Sequence, residues 1–105
     1  MKRVEITSLA RADIEKAAAH YEAQREGLGA AFVDQVLDAV ERISRNPRGY
    51  AKRIEDVRMA QVKKFPFGLW FRVVDEAVVI GCLDQRRNPV LAKERAFGVI
   101  PFPEA

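Results

Sequence analysis

Apolar and polar residues alternate at the start of the chain and then change to a helical spacing. Val4 and Ile6 lie on one side of residues 2 to 7, which predicts a short, half-buried strand. Ser8 follows as the predicted N-cap of a helix, which should end near Gly27 because glycine readily adopts the left-handed conformation. The apolar residues of this helix are spaced three and four apart, at Ile14, Ala17, Ala18 and Tyr21.

The strongest helical pattern of the chain comes next, from Ala30 to Arg45. Its apolar stripe consists of Phe32, Val36, Val40 and Ile43, with Val33 and Leu37 beside them. Asn46-Pro47 should end this helix, because a residue that precedes proline is disfavoured in helical geometry. Since only Gly27-Leu28-Gly29 separates the two helices, we expect an antiparallel helical hairpin whose apolar stripes face a sheet.

The second half of the chain is predicted to be rich in strands. Residues 47–56 are polar and are expected to be irregular. Asp75-Glu76 should form a tight reversal between the last two strands. The last strand is a continuous apolar run, which predicts that it is the central and most buried strand. The three strands expected in this half cover Val57 to Phe65, Leu69 to Val74 and Ala77 to Leu83.

The C-terminal end combines a short predicted helix with an apolar tail. Asn88 as N-cap and Pro89 at the first helical position predict a helix over Val90 to Ala96. Residues 97–105 are apolar and contain two prolines, so they form neither a regular helix nor an interior strand. The tail is therefore expected either to fold back on the second sheet face, which nothing else would cover, or to bind a partner.

These elements predict one α+β domain over residues 1–105, in the order β-α-α-β-β-β with a short C-terminal element. The helical hairpin should pack on one face of a mainly antiparallel sheet, and the other face should stay partly open. A partly open sheet face in a small domain is typical of a binding module.

Composition and charge restrict the kinds of partner, metal site and cellular location that the chain can have. The net charge is +3, and residues 57–105 carry the basic excess, which permits an acidic partner without selecting one. Cys82 lies in an apolar run and is predicted to be a small buried hydrophobic residue. His20 is the only histidine, and no further ligands of a metal site are evident beside it. No apolar run approaches the length of a membrane helix, and no signal peptide is evident, so we expect a cytoplasmic protein without metal or cofactor.

Seven short sequence motifs follow one another along residues 2 to 95. They are Leu9-Ala10-Arg11-Ala12-Asp13-Ile14, Tyr21-Glu22, Gly27-Leu28-Gly29 with Phe32, Asn46-Pro47, Val57-Arg58, Phe65-Pro66-Phe67-Gly68-Leu69-Trp70-Phe71 and Arg87-Asn88-Pro89. Together with the order of elements, these motifs resemble the RelE/ParE superfamily of toxins from bacterial type II toxin–antitoxin pairs. The resemblance implies a toxin that a cognate antitoxin neutralises by wrapping its C-terminal segment around the domain. RelE-like members cut mRNA in the ribosome, whereas ParE-like members inhibit DNA gyrase.

The residue content favours the ParE-like activity over RNA cleavage. A ribonuclease of this kind requires groups that accept and donate protons, often a Tyr or His near the C-terminus. Neither residue occurs after Tyr50, and unperturbed Lys and Arg are poor bases at neutral pH. We therefore expect no catalytic residue. The alternatives are a RelE-like endonuclease acting on ribosome-bound mRNA and a non-toxic relic that only binds antitoxin. For a nuclease, the candidate residues are Lys63, Lys64, Arg72, Arg86 and Arg87.

For a non-catalytic toxin, the strand-rich half of the chain also contains the candidate residues for binding the antitoxin and DNA gyrase. Trp70 has the character of a docking residue but fits a packing role better. Arg72 lies within an apolar strand, so it should face the open side of the sheet or pair with an acid such as Asp84. The predicted partner-binding residues are Arg58, Lys63, Trp70, Arg72, Arg86 and Arg87.

Overall fold

In a computed structural model of the chain, residues 3–85 and 90–97 are described. The helices are α1 (Ser8–Gln24), α2 (Leu28–Arg45) and α3 (Val90–Phe97), and Pro47–Gly49 form a short 3-10 turn. The strands are β1 (Val4–Ile6), β2 (Lys52–Ile54), β3 (Val57–Val62), β4 (Phe67–Val73) and β5 (Ala77–Asp84). They form one sheet in the order β1-β5-β4-β3-β2, in which only β1 and β5 are parallel. This architecture confirms the predicted α+β class.

The first strand covers only the beginning of its neighbour. Val4 to Ile6 pair with Ala77 to Val79, and the backbone N–H of Thr7 then donates to the carbonyl of Val79. Because α1 begins at Ser8, the chain turns away from the sheet at this point. Within the described residues, no strand lies beside Ile80–Asp84 on this side of β5.

The start of α1 differs from the prediction by one residue. Thr7, and not Ser8, is the N-cap, since the Thr7 hydroxyl accepts a hydrogen bond from the backbone N–H of Ala10 at 3.1 Å. A β-branched Thr stays extended here at the end of β1, which suits the N-cap conformation.

The connection of the helical hairpin depends on a carboxylate. Glu22 accepts hydrogen bonds from the backbone N–H groups of Gly27, at 3.0 Å, and Gly29, at 2.9 Å. Gly27 has the predicted left-handed conformation, with φ 88°, but it precedes α2 and does not terminate α1. Consequently α1 ends at Gln24 and α2 begins at Leu28, two residues before the prediction.

Three predictions for the strand-rich half were wrong in detail. Residues 47–56 are not wholly irregular, since β2 forms there at the sheet edge from the polar sequence Lys52–Ile54. The next strand ends at Val62, before the predicted Phe65, because Lys64 adopts a left-handed conformation with φ 73° in the following turn. The last strand, β5, was predicted to be central, but the middle strand of the sheet is β4, and β5 lies between β4 and β1.

Two apolar clusters lie on opposite faces of the sheet. The larger one joins the helical hairpin to the sheet and contains Phe32, Val36, Ile43, Val62, Leu69 and Phe71 among its buried residues. The second contains Val57, Met59, Trp70, Ile80 and Ala92, the last contributed by α3. The expectation that only the tail shields this second face was therefore wrong, because α3 covers it. Residues 98–105 of the predicted tail lie outside the described residues.

A register shift explains the continuous apolar run of β5. Trp70 lies opposite Gly81, whereas its neighbour Phe71 lies opposite Val79, so β5 contains one extra residue. The bulge places Val79 and Cys82, three residues apart, in the same cluster on the hairpin face. Cys82 is buried as predicted, and desolvation raises the pKa of its thiol to about 12.

Candidate protein-docking site

A groove of about 570 Å³ lies where α1, β5 and α3 meet. Cys82 and Leu83 of β5 line it, at the part of the strand that β1 leaves unpaired. Lys16 and His20, one helical turn apart on α1, also line it, as does the exposed Leu91 of α3. The groove therefore combines apolar surface with charged walls, which suits a peptide segment.

Asp13 and Arg95 connect the two sides of this groove. The Arg95 guanidinium donates from Nη1 to Asp13 Oδ2 at 2.7 Å and from Nη2 to Oδ1 at 3.0 Å. Arg95 also donates to the carbonyl of Ile80, while Asp13 accepts from the backbone N–H of Cys82 at 3.1 Å. The carboxylate raises the pKa of Arg95 above its ordinary value. The pair satisfies backbone groups at the bulge that no strand pairs with among the described residues.

Trp70 lies in the second cluster beneath α3, with 7% of its surface exposed. Its indole N–H is buried and has no hydrogen-bond partner among the residues that the structure describes. Trp70 therefore has the packing role that its strand context favours. It lies on the sheet face that α3 covers and is shielded from solvent.

Arg72 lies at the rim of the same face, and its acidic partner is Asp56, not the predicted Asp84. Nη2 and Nε of Arg72 donate to Asp56 Oδ2 at 3.0 and 3.3 Å, and these hydrogen bonds hold the pKa of Asp56 below its ordinary value. Arg72 also donates to the carbonyl of Ala96 at 2.9 Å, and its guanidinium carbon lies 4.7 Å from the ring centre of Phe97. Arg72 therefore anchors the C-terminal end of α3.

The other predicted partner-binding residues lie elsewhere. Arg58 donates to the carbonyls of Arg48, at 3.1 Å, and Tyr50, at 2.6 Å, and so fixes the loop after α2. Lys63 lies in the turn after β3, with its ammonium 3.9 Å from Asp38. This exposed pair has little energetic weight. Arg86 and Arg87 lie outside the described residues.

The Phe-Pro-Phe turn between β3 and β4 packs against the helical hairpin. The ring of Phe65 lies 4.8 Å from Tyr21 and 5.1 Å from Phe32, and Phe67 lies 5.4 Å from Phe32, between ring centres. These edge-on contacts stabilise the turn beyond simple burial. The aromatic residues of this turn are therefore partly buried and pack against the larger apolar cluster.

Of the candidate nuclease cations, the three that lie within the described residues do not converge on the groove. Lys63, Lys64 and Arg72 do not line the groove. His20, whose ring could exchange protons, does line it, and its Nε2 lies 2.8 Å from the side-chain amide nitrogen of Gln24. Within residues 3–85 and 90–97, no group of His, Cys, Asp or Glu could hold a metal ion. No helix in the described part of the chain is long and apolar enough to span a membrane.

The sequence predictions missed the contributions of Asp13, Lys16, His20 and Arg95. Lys16 and His20 could have been grouped by their spacing on one helix. Asp13 and Arg95 are separated by 82 positions, and neither stands out locally, so no sequence signal links them.

Comparison with known proteins identifies the family. The family described as the ParE toxin of the type II toxin–antitoxin system, parDE, matches residues 4–89. A solved structure from the chromosomal ParDE toxin–antitoxin system of P. aeruginosa matches with a TM-score of 0.67 and 22% identity, covering 78% of this chain and 94% of that one. The comparison with curated protein sequences gave no match. The extent of the family match shows that this chain belongs to the ParE toxin family of type II toxin–antitoxin systems.

Proposed function

We propose that the chain acts in the cytoplasm as a toxin that inhibits DNA gyrase by binding it, and that a cognate antitoxin neutralises it. The family match over residues 4–89 carries this proposal. On this account the protein forms and breaks no covalent bond itself. Its function depends on surfaces that bind large partners.

The arrangement of the ionisable groups supports inhibition over RNA cleavage. A nuclease needs a proton acceptor close to cations that stabilise the phosphate in the transition state. Here Arg72 is engaged by Asp56 and α3, and Lys63 lies beside Asp38, both away from the groove that holds His20. Cys82, with a thiol pKa of about 12, is not a nucleophile at neutral pH.

The groove beside α3 is the surface that best suits an antitoxin segment. It exposes apolar side chains next to Lys16, for which the structure records no ion pair with any described residue. An acidic and apolar segment would find complementary groups there. Its backbone would also lie next to the part of β5 that, among the described residues, has no strand on the side opposite β4.

Induction of the chain in cells without antitoxin tests the proposal. We expect filamentation, induction of the DNA-damage response and intact messages by primer extension. Matched cultures that also express the neighbouring antitoxin gene should grow normally. New cuts within translated messages would contradict gyrase inhibition and support the RelE-like alternative. Normal growth of cells that contain the folded chain alone would contradict toxicity.

A further inference from the structure

The stretch from Arg42 to Ile54 concentrates the positive charge of the chain. It contains no acid and five cations, which are Arg42, Arg45, Arg48, Lys52 and Arg53. The whole chain carries a net charge of +3, so the residues outside this stretch carry a net charge of −2. The basic character of the protein is therefore local, and a local excess of charge is what attracts a polyanion.

Three of these cations extend from one short segment without a carboxylate partner. Arg48 lies in the 3-10 turn after α2, whereas Lys52 and Arg53 lie in the edge strand β2, and all three are exposed. None of the three forms an ion pair with any residue that the structure describes. In contrast, Arg42 and Arg45 each pair with an acid one turn earlier on α2.

A fourth cation lies beneath this segment. Nη1 of Arg58 donates to the carbonyls of Arg48 and Tyr50, at 3.1 and 2.6 Å, and no described carboxylate pairs with this guanidinium. The ring of Tyr50 lies edge-on to Phe71, with 5.6 Å between ring centres, and packs the same segment against the larger apolar cluster. The exposed cations thus extend from a fixed backbone, which reduces the entropy that is lost when a ligand binds.

The neighbouring acids leave this charge in place. Asp56, in the turn after β2, already accepts two hydrogen bonds from Arg72. A small cleft beside Arg48 also contains two acids of the turn between β4 and β5, and neither forms an ion pair with it: Asp75 and Glu76. The segment therefore keeps its positive charge, and the acidic turn marks its boundary on one side.

Protection of the sheet edge accounts for only part of this charge. A short edge strand with basic side chains resists pairing with another chain. Strand β2 fits that role, since it has three residues and a register irregularity between Lys52 and Ile54. However, Arg48 and Arg58 lie outside the edge strand. These two arginines therefore have a different role.

The chemistry of this surface suits phosphate groups better than an acidic protein. Three of the four cations are arginines, whose planar guanidinium can bind a phosphate through two hydrogen bonds. A protein interface usually has an apolar centre. None of the exposed large apolar side chains in the described part of the chain lies between positions 42 and 58. The phosphate backbone of a nucleic acid is bound through charge and needs no such centre.

We propose that Arg48, Lys52, Arg53 and Arg58 bind the phosphate backbone of duplex DNA, and that the toxin uses this surface on the DNA held by gyrase. The toxin thereby contacts the enzyme and its DNA substrate together. Binding is independent of base sequence, because backbone phosphates carry no sequence information. The identity of the DNA as the substrate of gyrase rests on the proposed function.

Binding to DNA is measured without gyrase, by fluorescence anisotropy of a short labelled duplex titrated with the folded chain. With four phosphate contacts, the logarithm of the binding constant should fall against the logarithm of the salt concentration with a slope of about −3 to −4. The double variant Arg48→Gln/Lys52→Gln should make the slope shallower by about 2 and weaken binding about tenfold or more. Its thermal unfolding should match that of the wild type, since both side chains are exposed.

The matched control is Arg11→Gln/Arg25→Gln. It removes the same charge from exposed residues outside the segment that also lack a described ion pair, so it should leave the slope unchanged. Equal losses in the two double variants would show that only net charge matters and would overturn the site. Displacement of the duplex by poly-glutamate as effectively as by unlabelled DNA would assign the surface to an acidic protein and overturn the assignment to DNA.

Supercoiling assays with purified gyrase test the use of this surface on the enzyme. The concentration of Arg48→Gln/Lys52→Gln that halves supercoiling should be about tenfold higher than that of the control double variant. Equal inhibition by the two double variants would overturn the contact with the DNA of gyrase, while the proposed function would stand. Absence of inhibition by the folded wild type would overturn the proposed function, and the anisotropy measurement would then decide the DNA-binding surface by itself.

Discussion

The carboxylate of Asp13 and the guanidinium of Arg95 form a two-point contact that joins the first helix to the last. The hydrogen bonds measure 2.7 and 3.0 Å and connect residues 82 positions apart. Asp13 also accepts from Cys82 at the bulge of β5. One carboxylate thus holds together α1, the bulged strand and α3.

Removal of that carboxylate should cost more than removal of a surface acid. Asp13→Ala leaves the Arg95 guanidinium and the Cys82 N–H without their partner, so we expect a loss of ~2 kcal/mol in the free energy of unfolding. Glu41→Ala is the control, because Glu41 pairs with Arg45 on the exposed surface of α2 and should cost under ~0.5 kcal/mol. Urea denaturation measures both. Equal losses would mean that the Asp13 contact adds nothing beyond an ordinary surface pair.

The carboxylate of Glu22 makes stability depend on pH. Hydrogen bonds from the backbone of Gly27 and Gly29 hold its pKa below the ordinary value of a glutamate in the folded protein. Its contribution is therefore fully present above the pKa of the unfolded chain and is lost as the pH falls through the folded-state value. The stability difference between wild type and Glu22→Gln should shrink as the pH is lowered from about 6 to about 3. A difference that stays constant over this range would contradict the assignment, and NMR titration of Glu22 measures the pKa directly.

Two glycines of the hairpin connection should respond differently to substitution. A Cβ on Gly29 would lie 2.7 Å from the carbonyl oxygen of Ala18, so Gly29→Ala should push α1 and α2 apart and cost about 1–3 kcal/mol. A Cβ on Gly27 would meet nothing within 4 Å, and only its φ of 88° opposes a side chain. Gly27→Ala should therefore cost about 1 kcal/mol, and Gly27→Asn less. Thermal unfolding of the three variants gives the order, and a Gly27→Ala cost above that of Gly29→Ala would refute it.

Neighbouring residues of α2 test which face of the helix is buried. Val36 is 2% exposed and Leu37 is 58% exposed. Val36→Asp places a charge in the main apolar cluster and should unfold the domain, because its cost approaches the total stability of a small protein. Leu37→Asp should remain folded, with a change of ~0.5 kcal/mol or less. Circular dichroism distinguishes these outcomes. A folded Val36→Asp protein would mean that Val36 does not lie on the buried face of α2.

Much of the fold was predictable because local patterns agree with it. The spacing of Phe32, Val36 and Ile43 gave α2 and its buried face, and the cap sequence before Val90 gave α3. Strand β2 was missed because Lys52 and Arg53 carry no apolar signal, and its formation depends on pairing with β3.

The candidate site was much less predictable than the fold. Trp70 and Arg72 were both predicted to be partner-binding residues, but the contacts that they make depend on α3, and the sequence does not show where that helix packs. The acid that binds Arg72 is Asp56 because the turn after β2 brings it to that edge, a placement that follows from tertiary structure alone. Asp13 and Arg95 meet beside the bulge in β5, where each also bonds to the strand backbone.

The proposed inhibition of DNA gyrase requires no covalent chemistry by the chain itself. Its most direct test is a supercoiling assay with purified DNA gyrase, in which the chain is titrated with and without equimolar antitoxin. We expect supercoiling to fall as the chain reaches the gyrase concentration, and to recover when antitoxin is present. Full supercoiling activity in the presence of a large molar excess of folded toxin would contradict the claim.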